Sequence, residues 1–188
     1  QHGVEVLYSP FIETIERHLL ECGRYYDAVL ISRADNAERF IPLVRRHAPQ
    51  ARVVFDTVDL HFLREQRLAA LKNSATLAAA AARRKTQELG LMRAADVTLV
   101  VSVAERQLLQ AELPEARIEV VSNIHDVRER QVGFADRAGI IFIGSFNHPP
   151  NIDAMQFYAR DVLPRLRVAL PGVTTAVIGA DPPAVLTD

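Results

Sequence analysis

The chain has 188 residues, of which 49% are hydrophobic and 24% are charged, and its formal net charge at pH 7 is -1. This composition is typical of a globular protein with one large or two small domains, and it excludes a disordered chain. A net charge so close to zero gives no overall field that would attract nucleic acid or an anionic membrane. The single cysteine, Cys22, excludes an internal disulfide framework and favours a reducing compartment, so we expect a cytoplasmic protein.

Strand-like and helix-like stretches alternate along the chain. Apolar runs predict strands over residues 4–8, 27–32, 52–56, 96–102, 117–121, 139–144 and 173–178. Apolar residues at helical spacing predict helices over residues 11–22, 36–47, 60–95, 103–111 and 151–170. The alternation indicates βαβ units, and the continuously apolar strands indicate burial on both faces. The predicted fold class is α/β, with Rossmann-like parallel sheets and helices on both faces.

Glycine, asparagine and proline mark the expected ends and breaks of these helices. Gly23 is expected to end the first helix in the left-handed conformation, and Asn36 is expected to cap the second. Residues 73–74 and Gly90 are weak points of the long third helix, and Pro164 is expected to break the last one.

The chain is predicted to hold two domains. Residues 123–138 are polar and unpatterned, and we interpret them as a linker between residues 1–122 and residues 139–188. No apolar run approaches the ~20 residues that span a bilayer, so no transmembrane segment is expected.

The first candidate site follows the strand at residues 52–56. The sequence Asp56-Thr57-Val58-Asp59-Leu60-His61 places two carboxylates and an imidazole where that strand ends. In open parallel sheets, ligands bind beyond the carboxyl ends of the strands. Asp59 and His61 are therefore candidates for base chemistry or for binding a hydroxylated substrate. Capping of the next helix by Asp59 is the alternative.

The second candidate site follows the strand at residues 139–144. Gly144 at the strand end would let a ligand approach the backbone, and free amides at the next helix would favour a phosphate. Ser145 and Asn147 lie in the same turn. The segment is neither a dinucleotide fingerprint nor a P-loop, and a plain strand-to-helix turn capped by Asn151 is the alternative.

Other kinds of site have little support in the sequence. The six histidines have no ligand spacing, so no metal site is expected. The chain has no Gly-x-Ser-x-Gly elbow, and Cys22 lies within a predicted amphipathic helix. Serine or cysteine nucleophilic catalysis is therefore not expected.

Several segments between residues 96 and 179 carry a resemblance to a known family. They are Asp96-Val97-Thr98-Leu99-Val100-Val101-Ser102 with Ala104-Glu105-Arg106, then Ile118 to Val121 with Ser122-Asn123-Ile124-His125-Asp126, then residues 139–145, then His148-Pro149-Pro150-Asn151-Ile152-Asp153-Ala154, and finally Val162-Leu163-Pro164, Leu170-Pro171 and Val177-Ile178-Gly179. In this order and spacing they resemble the family-4 glycosyltransferases. Ile124 stands where that family usually has glycine.

The resemblance implies both a fold and a reaction. It implies the GT-B architecture, in which two Rossmann-like domains face each other across the active-site cleft. Such enzymes transfer a sugar from a nucleotide diphosphate sugar to an acceptor hydroxyl, usually with retention of configuration and without a metal or other cofactor. Positive side chains and helix dipoles stabilise the leaving diphosphate. The implied partners are the nucleotide sugar and a glycan or lipid-linked acceptor, with possible peripheral contact of the parent protein with a membrane.

The resemblance also assigns roles to individual residues. Gly144 matches the glycine whose backbone lies near the diphosphate, with Ser145 and Asn147 bordering it. Asn123, in the interdomain segment, is counted with these donor-binding residues. Asp59 falls close to a position where many members have a histidine that faces the donor sugar, and His61 is two residues further on. Both are therefore named as catalytic candidates.

The resemblance further implies that the chain is a partial GT-B protein. The family has an additional strand before residue 4, and it has a basic residue and a glutamate pair beyond residue 188. We therefore expect a fragment that is inactive alone and whose open sheet edges pack on the first domain or on a second copy, as a homodimer. A non-catalytic nucleotide- or sugar-binding module remains the alternative. Two other classes are not expected. A receiver domain would need an acidic pair after the first strand, where this chain has Tyr8-Ser9-Pro10, and a dehydrogenase would need a three-glycine fingerprint, which the sequence lacks.

Overall fold

The computed structural model describes residues 3–127, 129 and 131–182. The chain divides into two compact units, Gln1–His125 and Asp126–Asp188, and the division falls within the predicted linker. That linker and the end of the predicted second domain include residues 128, 130 and 183–188, which lie outside the described residues. None of the helices in the described part of the chain has the length and apolar character needed to cross a membrane.

The first unit contains a parallel four-stranded sheet with helices between its strands. Its elements are α1 (Ile15–Cys22), β1 (Ala28–Ser32), α2 (Ala34–His47), β2 (Arg52–Asp56), α3 (His61–Leu71), α4 (Ala75–Ala94), β3 (Val97–Val100), α5 (Val103–Glu112) and β4 (Ile118–Val120). The strands pair in the order β1-β2-β3-β4, all parallel. The predicted α/β class with parallel strands is confirmed.

The two faces of this sheet are buried to different degrees. One face carries the buried side chains of Ile31, Val53, Phe55, Val100 and Ile118. On the other face, Leu30 is 59% exposed. Right-handed crossovers between strands in sequential order place the connecting helices on the same side of the sheet. Burial was predicted for both faces, and in the described sheet it is observed for one face and not for the other.

The start of the chain differs from the predicted pattern. Residues 4–8 are irregular rather than a strand, and Val4 is 76% exposed. An apolar run becomes a strand only where a neighbouring strand takes up its backbone hydrogen bonds, and residues 4–8 have no such partner among the described residues. The first helix begins at Ile15 rather than at residue 11, because the Thr14 side chain accepts a hydrogen bond from the Arg17 amide at 3.1 Å.

Two predicted helix caps are also corrected. Gly23 has a right-handed φ of -54° and begins a 3-10 turn. Glycine fits there because a Cβ atom would lie 2.5 Å from the His47 carbonyl oxygen. Helix α2 begins at Ala34, so Asn36 lies in its first turn and donates to the Ser32 carbonyl at 2.9 Å instead of capping it.

The long helix predicted over residues 60–95 is two helices. The break falls at residues 72–74, where Asn73 has a φ of 45° and the Ser74 side chain caps α4 by accepting from the Leu77 amide at 3.3 Å. The predicted weak point at Asn73 is confirmed. Gly90 lies inside α4 and does not interrupt it.

The second unit contains two parallel strands joined by an interrupted helix. Its elements are a 3-10 turn (Phe134–Asp136), β5 (Ile140–Ile143), α6 (Pro149–Phe157), a π-helical turn (Tyr158–Val162), α7 (Leu163–Ala169) and β6 (Thr175–Ile178). Pro164 follows the π-helical turn, which confirms the predicted interruption. Proline lacks an amide hydrogen, and its ring collides with the carbonyl four residues earlier, so the helix widens ahead of it.

Candidate functional site

Each unit carries a polar cluster beyond the carboxyl ends of its strands. In the first unit, Asp56 ends β2 and organises the turn that follows. Its carboxylate accepts from the Ser32 hydroxyl at 3.0 Å and from the Val58 amide at 3.1 Å. Val58 has a φ of 64°, which is costly for a β-branched side chain. Asp56 thus holds a strained turn in place directly before the two predicted catalytic residues.

Asp59 and His61 come together, as the sequence predicted for groups at one strand end. His61 Nε2 lies 2.9 Å from Asp59 Oδ1. Arg64, one turn further along α3, donates from Nη1 to Asp59 Oδ2 at 2.8 Å. The Asp59 carboxylate therefore binds an imidazole and a guanidinium, and it makes no cap to the amides of α3. The capping alternative for Asp59 is wrong.

Glu88 completes this cluster from the neighbouring helix α4. Its side chain is only 3% exposed, and Oε2 accepts a hydrogen bond from the Phe62 amide at 3.3 Å. Glu88 therefore takes the cap of α3 that was considered for Asp59. Its Oε1 lies 4.0 Å from His61 Nδ1, so the imidazole lies between two carboxylates. Burial raises the pKa of the Glu88 carboxyl, because the buried charge is separated from water.

Sequence reasoning missed Glu88 and Arg64. Arg64 was unremarkable because a charged residue on an exposed helix face is common. Glu88 carried a usable signal, because it occupies a position of α4 that is otherwise buried, together with Ala81, Leu89 and Met92. An acidic residue at a core position requires a polar partner.

A groove opens beside this cluster, between the start of α2 and the pair α3–α4. Its volume is about 780 Å³, which is within the usual size of small-molecule pockets. Arg84 crosses it and contacts Asp35 at 3.1 Å and Glu65 at 3.5 Å. Gln87 donates to Glu38 at 2.8 Å. The rest of the lining is Leu68, Leu77, Ala80 and Arg83, so the groove presents charged and apolar groups side by side.

Asn123 follows β4 at the same edge of the sheet. Asn123 is exposed and lies within an irregular segment. The preceding Ser122 donates its hydroxyl to the Val101 carbonyl at 3.1 Å and so ties the end of β4 to β3. Asn123 belongs to the first unit, whereas the other predicted donor-binding residues belong to the second.

In the second unit, Gly144, Ser145 and Asn147 share the turn after β5. Asn147 donates from its side-chain amide to Asp181 at 2.8 Å, and its backbone amide donates to the Ser145 hydroxyl at 3.3 Å. Asn151 lies inside α6 and donates from its side chain to the Ser145 carbonyl at 2.8 Å. Asn151 is therefore not the predicted helix cap, because α6 begins earlier, at Pro149.

Gly144 is required by close packing rather than by an unusual backbone angle. A Cβ atom on it would lie 2.7 Å from the Asn151 amide nitrogen. Gly179, at the end of β6, approaches even closer, since a Cβ atom there would collide with the Gly144 carbonyl oxygen. The two glycines thus let the strand ends and the turn come together.

The expected phosphate donors at the start of α6 are mostly missing. The first two helical residues, Pro149 and Pro150, have no amide hydrogen, and the amide of Asn151 donates to the His148 carbonyl at 2.9 Å. The expectation of free amides at this helix start is therefore wrong. Hydrogen bonds to an anion at this turn would come from the side chains of Ser145 and Asn147.

Across the described ranges, no group of three or more His, Cys, Asp or Glu side chains is arranged to hold a metal ion. Comparisons of the chain with family models, curated proteins and solved structures find no match. The case for a function therefore rests on the chemistry of the two clusters.

Proposed function

We propose that the chain is part of a glycosyltransferase that transfers a sugar from a nucleotide diphosphate sugar to a hydroxyl of a glycan or lipid-linked acceptor. The observation that supports it most is the position of the polar residues. Asp59 and His61 in one unit, and Ser145 and Asn147 in the other, follow the carboxyl ends of parallel strands. This edge is where open α/β sheets bind their ligands.

In this proposal, His61 is the group of the first unit that meets the donor sugar or the acceptor hydroxyl. Asp59 and Glu88 hold its ring from both sides, and Arg64 holds the Asp59 carboxylate in place. An imidazole can bind a sugar hydroxyl or take its proton, and since both ring nitrogens of His61 face carboxylates, the substrate hydroxyl would replace one of these contacts. Asn123 would contact the donor at the end of β4.

In the second unit, Ser145 and Asn147 donate hydrogen bonds to the diphosphate. Gly144 lets the Asn151 side chain pack against the backbone of this turn. The Asp181 carboxylate beside Asn147 repels a phosphate and is suited to accept hydrogen bonds from sugar or ribose hydroxyls.

A non-catalytic sugar-binding module is the second candidate. The observation that favours it is the pair of prolines at the start of α6, which removes amide donors that a diphosphate would use. Such a module would bind a free sugar as well as it binds the nucleotide sugar.

Calorimetric titration of the chain with UDP and GDP tests the proposal. We expect one of the two nucleotides to bind. Replacement Asn147→Ala is expected to weaken that binding at least about tenfold, because a hydrogen bond to a charged group contributes ~1.5 kcal/mol or more. The matched control is Gln107→Ala, which removes an exposed amide on α5.

The outcomes separate the two candidates. Binding of UDP or GDP that Asn147→Ala weakens and Gln107→Ala does not supports the transferase. A heat of binding on titration with free sugars, together with none on titration with UDP or GDP, supports the binding module. Absence of heat with both nucleotides contradicts the proposal.

A further inference from the structure

The two ring nitrogens of His61 face carboxylates in very different surroundings. Nδ1 lies 4.0 Å from Glu88, whose side chain is 3% exposed and belongs to the buried side of α4. Nε2 lies beside Asp59, whose side chain is 41% exposed in the turn between β2 and α3. Nε2 is therefore on the solvent side of the ring, and a substrate that arrives from solvent would meet it first.

Asp59 occupies this outward nitrogen in the structure. The distance from His61 Nε2 to Asp59 Oδ1 is 2.9 Å, which is the length of a hydrogen bond. A carboxylate has no hydrogen to give, so Nε2 carries the hydrogen and donates it. Because its outward N–H is already bonded, the imidazole presents no free hydrogen-bonding group on its solvent side.

Of the two carboxylates, that of Asp59 is the one that can move aside. Glu88 is fixed, because its Oε2 accepts from the Phe62 amide at 3.3 Å and its departure would leave a buried amide without an acceptor. The Asp59 amide donates to the Thr57 carbonyl at 2.7 Å, so the backbone is held and only the side chain has to turn. Asp59 Oδ2 also accepts from Arg64 at 2.8 Å, and this exposed guanidinium can follow the carboxylate as it turns.

We propose that Asp59 is a removable cover on His61. It closes Nε2 in the free chain, and an oxygen of the substrate replaces it when the site is filled. Nε2–H then donates to the substrate oxygen, Glu88 stays behind the ring, and the displaced carboxylate keeps Arg64 as its partner, so that no charge is left unpaired. In this role Asp59 controls access to His61 and takes no part in bond making. That the incoming oxygen belongs to a sugar rests on the proposed function, whereas the cover itself does not.

The reaction of His61 with diethyl pyrocarbonate measures how open Nε2 is. The reagent transfers an ethoxycarbonyl group to an imidazole nitrogen that carries no hydrogen, and peptide mass spectrometry gives a separate rate for each histidine. In the wild-type chain that nitrogen is the one facing Glu88, so we expect His61 to react slowly. Asp59→Ala is expected to raise the rate at least about tenfold, because a hydrogen bond to a charged group is worth about that factor in an equilibrium constant.

Two further variants separate the cover from its charge. Asp59→Asn removes the charge but keeps a side chain that can bond to Nε2, so the rate at His61 is expected to stay close to that of the wild-type chain. Asp27→Ala removes the same charge at an exposed site just before β1 and should leave the rate unchanged. The rate at His18, on α1 of the same unit, is the internal reference, and circular dichroism confirms that each variant is folded.

Two results would overturn the proposal. Equal acceleration in Asp59→Ala and Asp59→Asn would show that Asp59 acts on the imidazole through its charge and does not cover it. An unchanged rate in Asp59→Ala would show that Asp59 does not limit access to the ring. All rates are measured without nucleotide, so the test is independent of the proposed function. Acceleration in Asp59→Ala alone, in a chain that binds neither UDP nor GDP, would support the cover and contradict the transferase.

Discussion

Replacing Gly179 with alanine is expected to disrupt the second unit. The Cβ atom would collide with the carbonyl oxygen of Gly144, and backbone cannot move aside as the end of a side chain can. The segments that follow β5 and β6 are also fixed there by hydrogen bonds from the Gly144 amide to the Ile178 carbonyl at 2.9 Å and from the Phe146 amide to the Ala180 carbonyl at 3.1 Å. Overpacking of this kind costs about 3 kcal/mol when nothing can give way. Hydrogen exchange of the β5 and β6 amides measures the loss of protection.

Gly90→Ala is the control for this substitution. Nothing lies within 4 Å of a Cβ atom at Gly90, and the residue is inside helix α4. We expect that change to stabilise the first unit by about 0.5–1 kcal/mol. Unchanged protection of β5 and β6 in Gly179→Ala would show that the strand ends do not pack as described.

Replacing Glu88 with alanine is expected to destabilise the first unit by about 2–4 kcal/mol. The change leaves the Phe62 amide without its acceptor and empties a buried space between α3 and α4. Glu88→Gln keeps the acceptor and the volume and removes only the charge. Denaturant unfolding followed by circular dichroism measures both effects.

The stability of the wild-type chain should depend on pH through Glu88. Its pKa is raised in the folded protein, so its contribution to stability is complete below the ordinary glutamate pKa of about 4.3 and is lost as pH rises through the raised value. Glu88→Gln is expected to remove this loss. Its free energy of unfolding, compared with that of the wild-type chain, should therefore increase from acidic to neutral pH. An exposed control, Glu5→Gln, should leave the profile unchanged. If Glu88→Gln and the wild-type chain have parallel profiles from pH 4 upward, the carboxyl is not buried as described.

Local patterns were sufficient for most elements of the fold. The predicted strand over residues 52–56 coincides with β2, and the long predicted helix breaks at Asn73, one of its predicted weak points. Both depend on neighbouring residues alone, through a continuous apolar run or a turn-forming pair. Residues 4–8 have an equally apolar pattern, but a strand also needs a partner, which the local sequence does not reveal.

The candidate sites were predictable only in part, for a similar reason. Asp59 and His61 are close in sequence, so their proximity followed from the end of one strand. Glu88 reaches the same imidazole from α4, and only the packing of α3 against α4 brings it there. Gly144 and Gly179 were both noticed in the sequence, but their mutual contact depends on the pairing of β5 with β6.

Amide chemical-shift mapping with UDP and GDP tests the central claim most directly. The ¹H–¹⁵N spectrum of the chain is recorded as each nucleotide is added. The proposed function predicts changes that saturate and are concentrated at Gly144, Ser145, Asn147 and Asp181. Uniformly small shifts with both nucleotides, from a chain whose spectrum shows it to be folded, would contradict the assignment of this edge as a donor site.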